Sequence, residues 1–393
     1  MTDGGRVHPC AGRILDLDGH VMFEGDVFSE LLGPAFDGPI RQWVDGLTRN
    51  VTDEQRAAAR DRAVGDVGAV RGFLALGAVD PDDRLLALDR LGIHRQLVLP
   101  PVAWPTLDDE RPGAAATRGR YNDWVAAWAK GRDRLAPAAQ LALRDPGEAT
   151  AEAERIADAG FRAAEIPFAA PPGGVSPSAA VWDPVWNVLA RAGVALVLHL
   201  GGAGPGAAVP PRRVFLDPGW NHADRLEPGE FPRGMEGLRE NARAGTVGLA
   251  TLHLPAEVFL SSLVLGGALE RHPGLRVVVL EMGAQWVSSW VERLDGVAEG
   301  YRNFGLEPLA LRPSDVIRRQ VRIAPFERNP IGSWLARDGL DEVYAFASDF
   351  PHAEGGRDPV GRLTRSLDGL GPATLERFFV TNAEPILGDR ATP

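Results

Sequence analysis

The segment Asp16-Leu17-Asp18-Gly19-His20 sets carboxylates and an imidazole at alternate positions. Asp18 and His20, two apart on an extended chain, point to one face. Three more ionisable residues end apolar runs: His199 follows 194–198, Glu281 follows 276–280 and Asp349 follows 343–348. A polar group at the buried end of an apolar strand is costly unless it is paired. Brought together, Asp18, His20, His199 and Asp349 offer nitrogen and oxygen ligands to a divalent metal ion. Each of them alone reads equally as a hydrogen-bonded structural residue. Their common placement is what argues for chemistry.

Residues of these types act together only if separate strands deliver them to one place. Candidate strands fall at 14–20, 96–100, 138–143, 161–167, 195–200, 276–281, 321–324 and 343–349. Helical patterns lie between them at 147–159, 178–192, 255–271, 284–299 and 330–337, and a last one covers 373–387. Strand–helix alternation implies parallel strands with crossover helices. Eight such units in 393 residues predict an α/β fold, a (β/α)8 TIM barrel. Runs 194–199 and 276–280 are almost continuously apolar, as strands covered on both faces should be. The chain reads as a single domain over 1–393, with insertions at about 23–79 and 201–252. Both insertions follow barrel strands, so they are expected to cap the C-terminal face, where barrel active sites are built.

Composition narrows the function further. Net charge is -11, with 53 acidic against 42 basic residues and no basic block. Nucleic-acid binding needs a basic face and is not expected. The single cysteine, Cys10, allows neither an intrachain disulfide nor a Cys-rich zinc site and fits a reducing cytoplasm. No signal-peptide pattern opens the chain, and the most apolar stretch, 192–200, is far below the roughly 18 residues of a span. A cytoplasmic protein without a membrane partner is expected. Lys130 is the only lysine and lies on the helical pattern 121–130, facing solvent, so Schiff-base or carboxylated-lysine chemistry is excluded. Neither a GxxxxGK[ST] loop nor a GxSxG elbow occurs.

Asp18-Gly19-His20, the strand ending in His199, Leu280-Glu281-Met282-Gly283-Ala284-Gln285-Trp286 and Ser348-Asp349-Phe350-Pro351-His352 together resemble the amidohydrolase-related (amidohydrolase 2) family. That group of metal-dependent barrels includes aminocarboxymuconate-semialdehyde decarboxylase and the resorcylate decarboxylases. Arg271-His272-Pro273-Gly274-Leu275-Arg276 and Asn382-Ala383 extend the resemblance, which runs from residue 14 to about 388. It implies metal ligands at Asp18, His20, His199 and Asp349, one or two divalent ions (zinc, iron or manganese), a small-molecule substrate and a homodimer. It also gives Asp349 a part in activating metal-bound water.

One departure decides the expected reaction. The decarboxylases resembled here carry a histidine after the sixth strand as acid/base, where this chain has Glu281. A carboxylate serves as base or ligand but not as a cationic acid. The expected function is therefore hydrolysis, with metal-bound hydroxide attacking the acyl carbonyl of a bulky, largely apolar ester, thioester or amide. Asp349 and Glu281 would be catalytic. The alternatives are a metal-dependent non-oxidative decarboxylase and a barrel that binds metal or ligand without turnover. Glu165, on the fourth strand, is a further metal candidate: in related binuclear barrels a carboxylate there bridges two ions.

Substrate contacts are expected from His352, His253, His222, Trp220 and Trp286, with Trp104 and Trp182 as further apolar walls. Trp124, Trp128 and Trp290 read as core. Arg212, Arg213, Arg225 and Arg233 of the second insertion could meet a carboxylate or phosphate.

Overall fold

A computed structural model describes residues 2–3, 6–33, 51–101, 106–107, 110–200, 250–300, 302 and 308–389. Seven strands form one parallel sheet in chain order: β1 (Ile14–His20), β2 (Ile93–Leu99), β3 (Leu135–Gln140), β4 (Ala163–Glu165), β5 (Ala195–His199), β6 (Val277–Leu280) and β7 (Val321–Ile323). Helices cross over between them, as at Pro146–Asp158 and Asp183–Ala192. The result is a TIM-barrel-like α/β fold.

The expected eighth strand is a departure. Residues 343–350 form isolated bridges instead of a ladder, Tyr344 to Ile323 of β7 and Phe350 to Gly19 of β1. The N–H groups of Leu17 and Asp349 donate across the seam, to Phe346 O at 3.1 Å and Asp18 O at 3.0 Å. Phe346 N–H donates instead to Phe378 O of the C-terminal helical region, at 3.0 Å. A segment that spends an amide on a helix cannot run a regular ladder with its neighbours.

Alternation sorts the side chains into two cores. Leu15, Leu17, Leu97, Leu99, Val197, Val278 and Leu280 pack inside the barrel, while Leu196, Leu198, Val277 and Val279 pack outward against the helices. Trp182 is fully buried beside Trp186, so it belongs to the helix-side core and walls no pocket. Trp290 is core, as expected, and Lys130 is exposed.

Local signals set the helix ends. Asp80 caps Pro81–Leu91 by accepting from Asp82 and Asp83 N–H, and Gly92 closes it in the left-handed region. The predicted helix 255–271 breaks at Gly266-Gly267, and 373–387 divides into Pro372–Glu376, a π turn at Arg377–Thr381 and Glu384–Leu387. Among the described residues no helix is long and apolar enough to cross a membrane.

The described part of the first insertion lies against the loop after the eighth segment. Gly72 N–H donates to Pro351 O at 2.7 Å, and Arg357 pairs with Asp66 at 2.9 Å. Trp104, Trp220, His222 and the arginines 212, 213, 225 and 233 lie outside the described residues.

Candidate metal centre

A register shift in β1 between Asp16 and Gly19 separates its carboxylates. Asp16 accepts from Ser348 Oγ (2.5 Å), Ser348 N (2.8 Å) and Gln96 Nε2 (2.7 Å). Arg84, fully buried, donates to Gln96 Oε1 (2.8 Å), Gly77 O (2.7 Å) and His20 O (2.5 Å). Gly19 lets β1 pass close to Gln96: a Cβ there would come within 2.3 Å of that side chain and push it off Asp16 and Arg84. This network ties β1 to β2 and to the eighth segment, directly beneath Asp18 and His20.

Asp18 and His20 turn into the barrel and meet residues from three other strand ends. His20 Nε2 is 3.1 Å from Asp18 Oδ1, 3.4 Å from Asp349 Oδ1 and 3.7 Å from Glu281 Oε1. His199 Nε2 is 3.8 Å from Asp18 Oδ1 and 3.6 Å from Glu281 Oε2. Two overlapping groups of ligand-type atoms result, Asp18–His20–His199–Glu281 and His20–Glu281–Asp349–His352, each within 4.8 Å.

Tautomers follow from backbone carbonyls, which only accept. His20 Nδ1–H donates to Pro100 O at 2.6 Å and His199 Nδ1–H to Leu200 O at 2.9 Å. Both Nε2 lone pairs therefore face inward. Asp18 Oδ1, His20 Nε2, His199 Nε2 and Asp349 Oδ1 are all buried without a hydrogen-bond partner. Two carboxylate oxygens and two imidazole nitrogens crowded together at buried strand ends are expensive to leave unmatched, and a divalent ion would satisfy all four at once. The donor set fits a divalent ion, with mixed nitrogen and oxygen ligands.

Glu281 reaches this centre by its backbone. It follows the inward-facing Leu280, so strict alternation would turn it toward the helices; instead it adopts φ 55°. Asp349 has φ 51°, and these two are the only non-glycine residues with positive φ among the described ones. Each such conformation costs ~1–3 kcal/mol, and such strain is met at functional sites.

Charge is redistributed accordingly. Burial would lower the His199 pKa, but Glu281, Asp18 and Glu165 raise it to about 10. Burial and then Glu281 push the Asp349 carboxyl up to about 7, against the pull of His352 and His20. Burial likewise carries Asp16 up to about 7, opposed by its bonds to Ser348 and Gln96. Burial works against ionising Glu281, yet His199 and His352 hold it well below the usual carboxylate range.

The other candidates divide. His352 joins the centre: its ring stacks on His20 at 3.9 Å, and its Nδ1 lies 2.9 Å from Asp349 Oδ1 and 3.4 Å from Glu281 Oε1. Glu165 is fully buried, as an inward residue of β4 must be, and accepts from Gln140 Nε2 at 2.7 Å, but it is in neither ligand group. His253 stacks against Trp286 with centroids 5.5 Å apart, away from both groups. Arg71 was not anticipated. Its guanidinium lies over Phe350, 5.0 Å from the ring centroid, with all three nitrogens buried and unpaired, in the field of Asp349. Nothing in sequence distinguishes it from the chain's other arginines.

A family model described as amidohydrolase matches residues 77–388. No curated protein sequence matches the chain. Among solved structures, the amidohydrolase map2389c from Mycobacterium avium subsp. paratuberculosis is similar at 21% identity and TM-score 0.64, over 96% of this chain and 99% of its own. The 5-carboxyvanillate decarboxylase from Novosphingobium aromaticivorans, solved with manganese, is similar at 17% identity and TM-score 0.62, over 95% and 96%. The 2,6-dihydroxybenzoate decarboxylase from Rhizobium is similar at 18% identity and TM-score 0.59, over 95% and 98%. At these identities the likeness is one of fold.

Proposed function

The chain belongs to the amidohydrolase family, and from that premise we propose that it is a metal-dependent, non-oxidative decarboxylase of a small carboxylic acid. The observation that carries this is Arg71, a buried guanidinium with no partner, in the field of Asp349. A buried cation with unpaired donors calls for an anion, and a planar carboxylate matches its fork. Decarboxylases among the similar folds support the same choice over the hydrolysis expected from Glu281. The chain is read as one barrel domain; residues 34–50 and 201–249 of its two insertions lie outside the described residues.

Asp18, His20, His199 and Asp349 would hold the ion, which when bound supplies a Lewis acid that draws electron density from substrate oxygens. The remaining work falls to side chains. Arg71 binds the departing carboxylate and fixes its orientation. Burial works against the charge on His352, but Asp349 and Glu281, 2.9 and 3.4 Å away, raise its pKa well above the ordinary imidazole value, so His352 holds the proton. The carbon–carbon bond breaks, carbon dioxide leaves, and the electron pair left on carbon takes that proton. Bulk solvent then restores it.

Hydrolysis remains the second reading because of Glu281, a carboxylate base at the centre. Solvent isotopes separate the two. Manganese-loaded protein with 2,6-dihydroxybenzoate or 5-carboxyvanillate in D2O should release carbon dioxide and place one deuterium on the ring carbon. Cleavage of aryl esters or thioesters, with 18O from labelled water in the acid product and no carbon dioxide from the acids, would overturn the decarboxylase.

Arg71→Met should lower kcat/KM for the carboxylate about 100-fold, from ~3 kcal/mol of charge-assisted hydrogen bonds. Bound metal should be unchanged, because Arg71 donates to none of the ligands. A change below about threefold would remove Arg71 from the site.

A further inference from the structure

His20 is held at three points, and one of them falls to a residue of another element. Its N–H donates to Phe350 O at 2.8 Å and its Nδ1–H to Pro100 O at 2.6 Å. Past the Gly19–Phe350 bridge, a regular parallel ladder would give the His20 carbonyl the N–H of His352. That N–H turns back to Asp349 O at 2.8 Å instead. The carbonyl belongs to a fully buried residue, where an acceptor without a donor is costly. Arg84 Nη2 supplies the missing donor at 2.5 Å.

Arg84 lies fully buried on the helix Pro81–Leu91, and its hydrogen bonds all go to neutral acceptors. Burying a guanidinium with no carboxylate in contact is expensive unless its donors are used. Each nitrogen is: Nη2 on His20 O, Nε on Gly77 O at 2.7 Å and Nη1 on Gln96 Oε1 at 2.8 Å. Gln96 turns its own amide to Asp16 Oδ2 at 2.7 Å, and Asp16 Oδ1 accepts from Asp18 N at 3.2 Å. One cation therefore braces the backbone of both β1 ligand residues, directly at His20 and through Gln96 and Asp16 at Asp18. The rings of Phe350 and Trp128, 5.3 and 6.0 Å from its guanidinium carbon, hold the fork in place. We infer that Arg84 is a positioning residue of the metal centre, setting the 3.1 Å approach of His20 Nε2 to Asp18 Oδ1 through their backbones, an inference that rests on the metal centre above and not on which reaction it serves.

Manganese affinity tests this without any turnover. Protein stripped with chelator is titrated at constant pH, and free manganese is read by electron paramagnetic resonance. Arg84→Lys keeps the charge but loses the planar fork that meets three acceptors. It should raise the dissociation constant about 10- to 100-fold, as expected when a group behind a metal ligand is lost. The visible absorption bands of the cobalt-loaded variant should move as well, because ligand geometry sets them. Arg322→Lys is the control, since Arg322 is also a buried arginine and donates to three backbone carbonyls, those of Asn382, Arg318 and Val321. It should lose stability, read by thermal unfolding, but keep the parent's manganese affinity and cobalt spectrum. Equal changes in the two variants, or none in either, would overturn the inference. Gln96→Met removes one acceptor and leaves Arg84 in place, so it should weaken manganese in the same direction. If Arg84→Lys does not fold, an unchanged affinity in Gln96→Met overturns the inference by itself. Unaltered protein that binds no manganese would instead remove the metal centre, and the part of Arg84 with it.

Discussion

Lowering the pH from about 8 to about 6 is expected to weaken divalent-ion affinity by at least roughly 10²-fold, because binding must expel the proton from His199. Both imidazoles bind protons more tightly in the metal-free fold than in water. For His20, burial and His352 oppose the proton, yet Asp18 and Asp349 raise the pKa. For His199, Glu281 and Asp18 overcome burial and raise it to about 10. Below that value the ion competes with a proton at His199 Nε2, which costs about tenfold in affinity per pH unit. The metal-free protein should show the opposite trend. His199 is raised from 6.5 to about 10, so its contribution to stability is full below 6.5 and lost as pH rises through 10. Asp16 and Asp349, raised from 3.8 to about 7, lose theirs between those values. Asp18 and Glu281 are shifted down and contribute no slope above about pH 5. Thermal unfolding with chelator should therefore fall from pH 5 to pH 9, while unfolding with saturating manganese should rise. Parallel curves would mean that the cluster does not bind the ion through these histidines.

The opposed slopes depend on carboxylates and imidazoles crowded at strand ends, and that crowding was largely written in the sequence. β1 occupies 14–20 as predicted because its apolar residues mark the strand, although a register shift between Asp16 and Gly19 leaves both Leu17 and Asp18 facing the barrel interior. His199 ends β5 for a similar reason: a continuous apolar run has one register in which its last residue faces inward. What sequence could not show is set by tertiary geometry. The sixth strand ends one residue before Glu281, and only a left-handed φ brings that side chain into the cluster. Pattern could not choose a face for Glu165; in the fold Ala163 and Glu165 share the inner one. Arg71 and Arg84 were invisible for another reason. In a chain whose basic residues are nearly all arginine, only long-range partners, such as His20 O for Arg84, separate a buried arginine from a solvated one. The eighth strand was placed correctly but called regular, because periodicity carries no sign that Phe378 would take the Phe346 amide.

Asp349→Asn is expected to lower turnover by at least about 10³-fold while leaving the fold intact. Asparagine suits the position on three counts. It is nearly isosteric, it tolerates the left-handed φ of 51° better than other non-glycine residues, and it keeps a carbonyl oxygen where Asp349 Oδ1 now has no hydrogen-bond partner. What it cannot do is ionise. The His352 proton loses the carboxylate that favours it, and the ion loses an anionic ligand. Stability gives the control. Burial, reinforced by Glu281, raises the Asp349 carboxyl to about 7, so its charge is unfavourable in the metal-free fold above that pH. A neutral amide removes this penalty, and the metal-free variant should unfold at no lower temperature than the parent at pH about 8. Manganese should protect the variant less than the parent, since one charged ligand is gone. Turnover within about tenfold of the parent would show that the reacting proton does not pass through Asp349. A large loss of metal-free stability would mean instead that the carboxylate is structural, held by a partner that the burial and orphaned oxygen of Asp349 do not reveal.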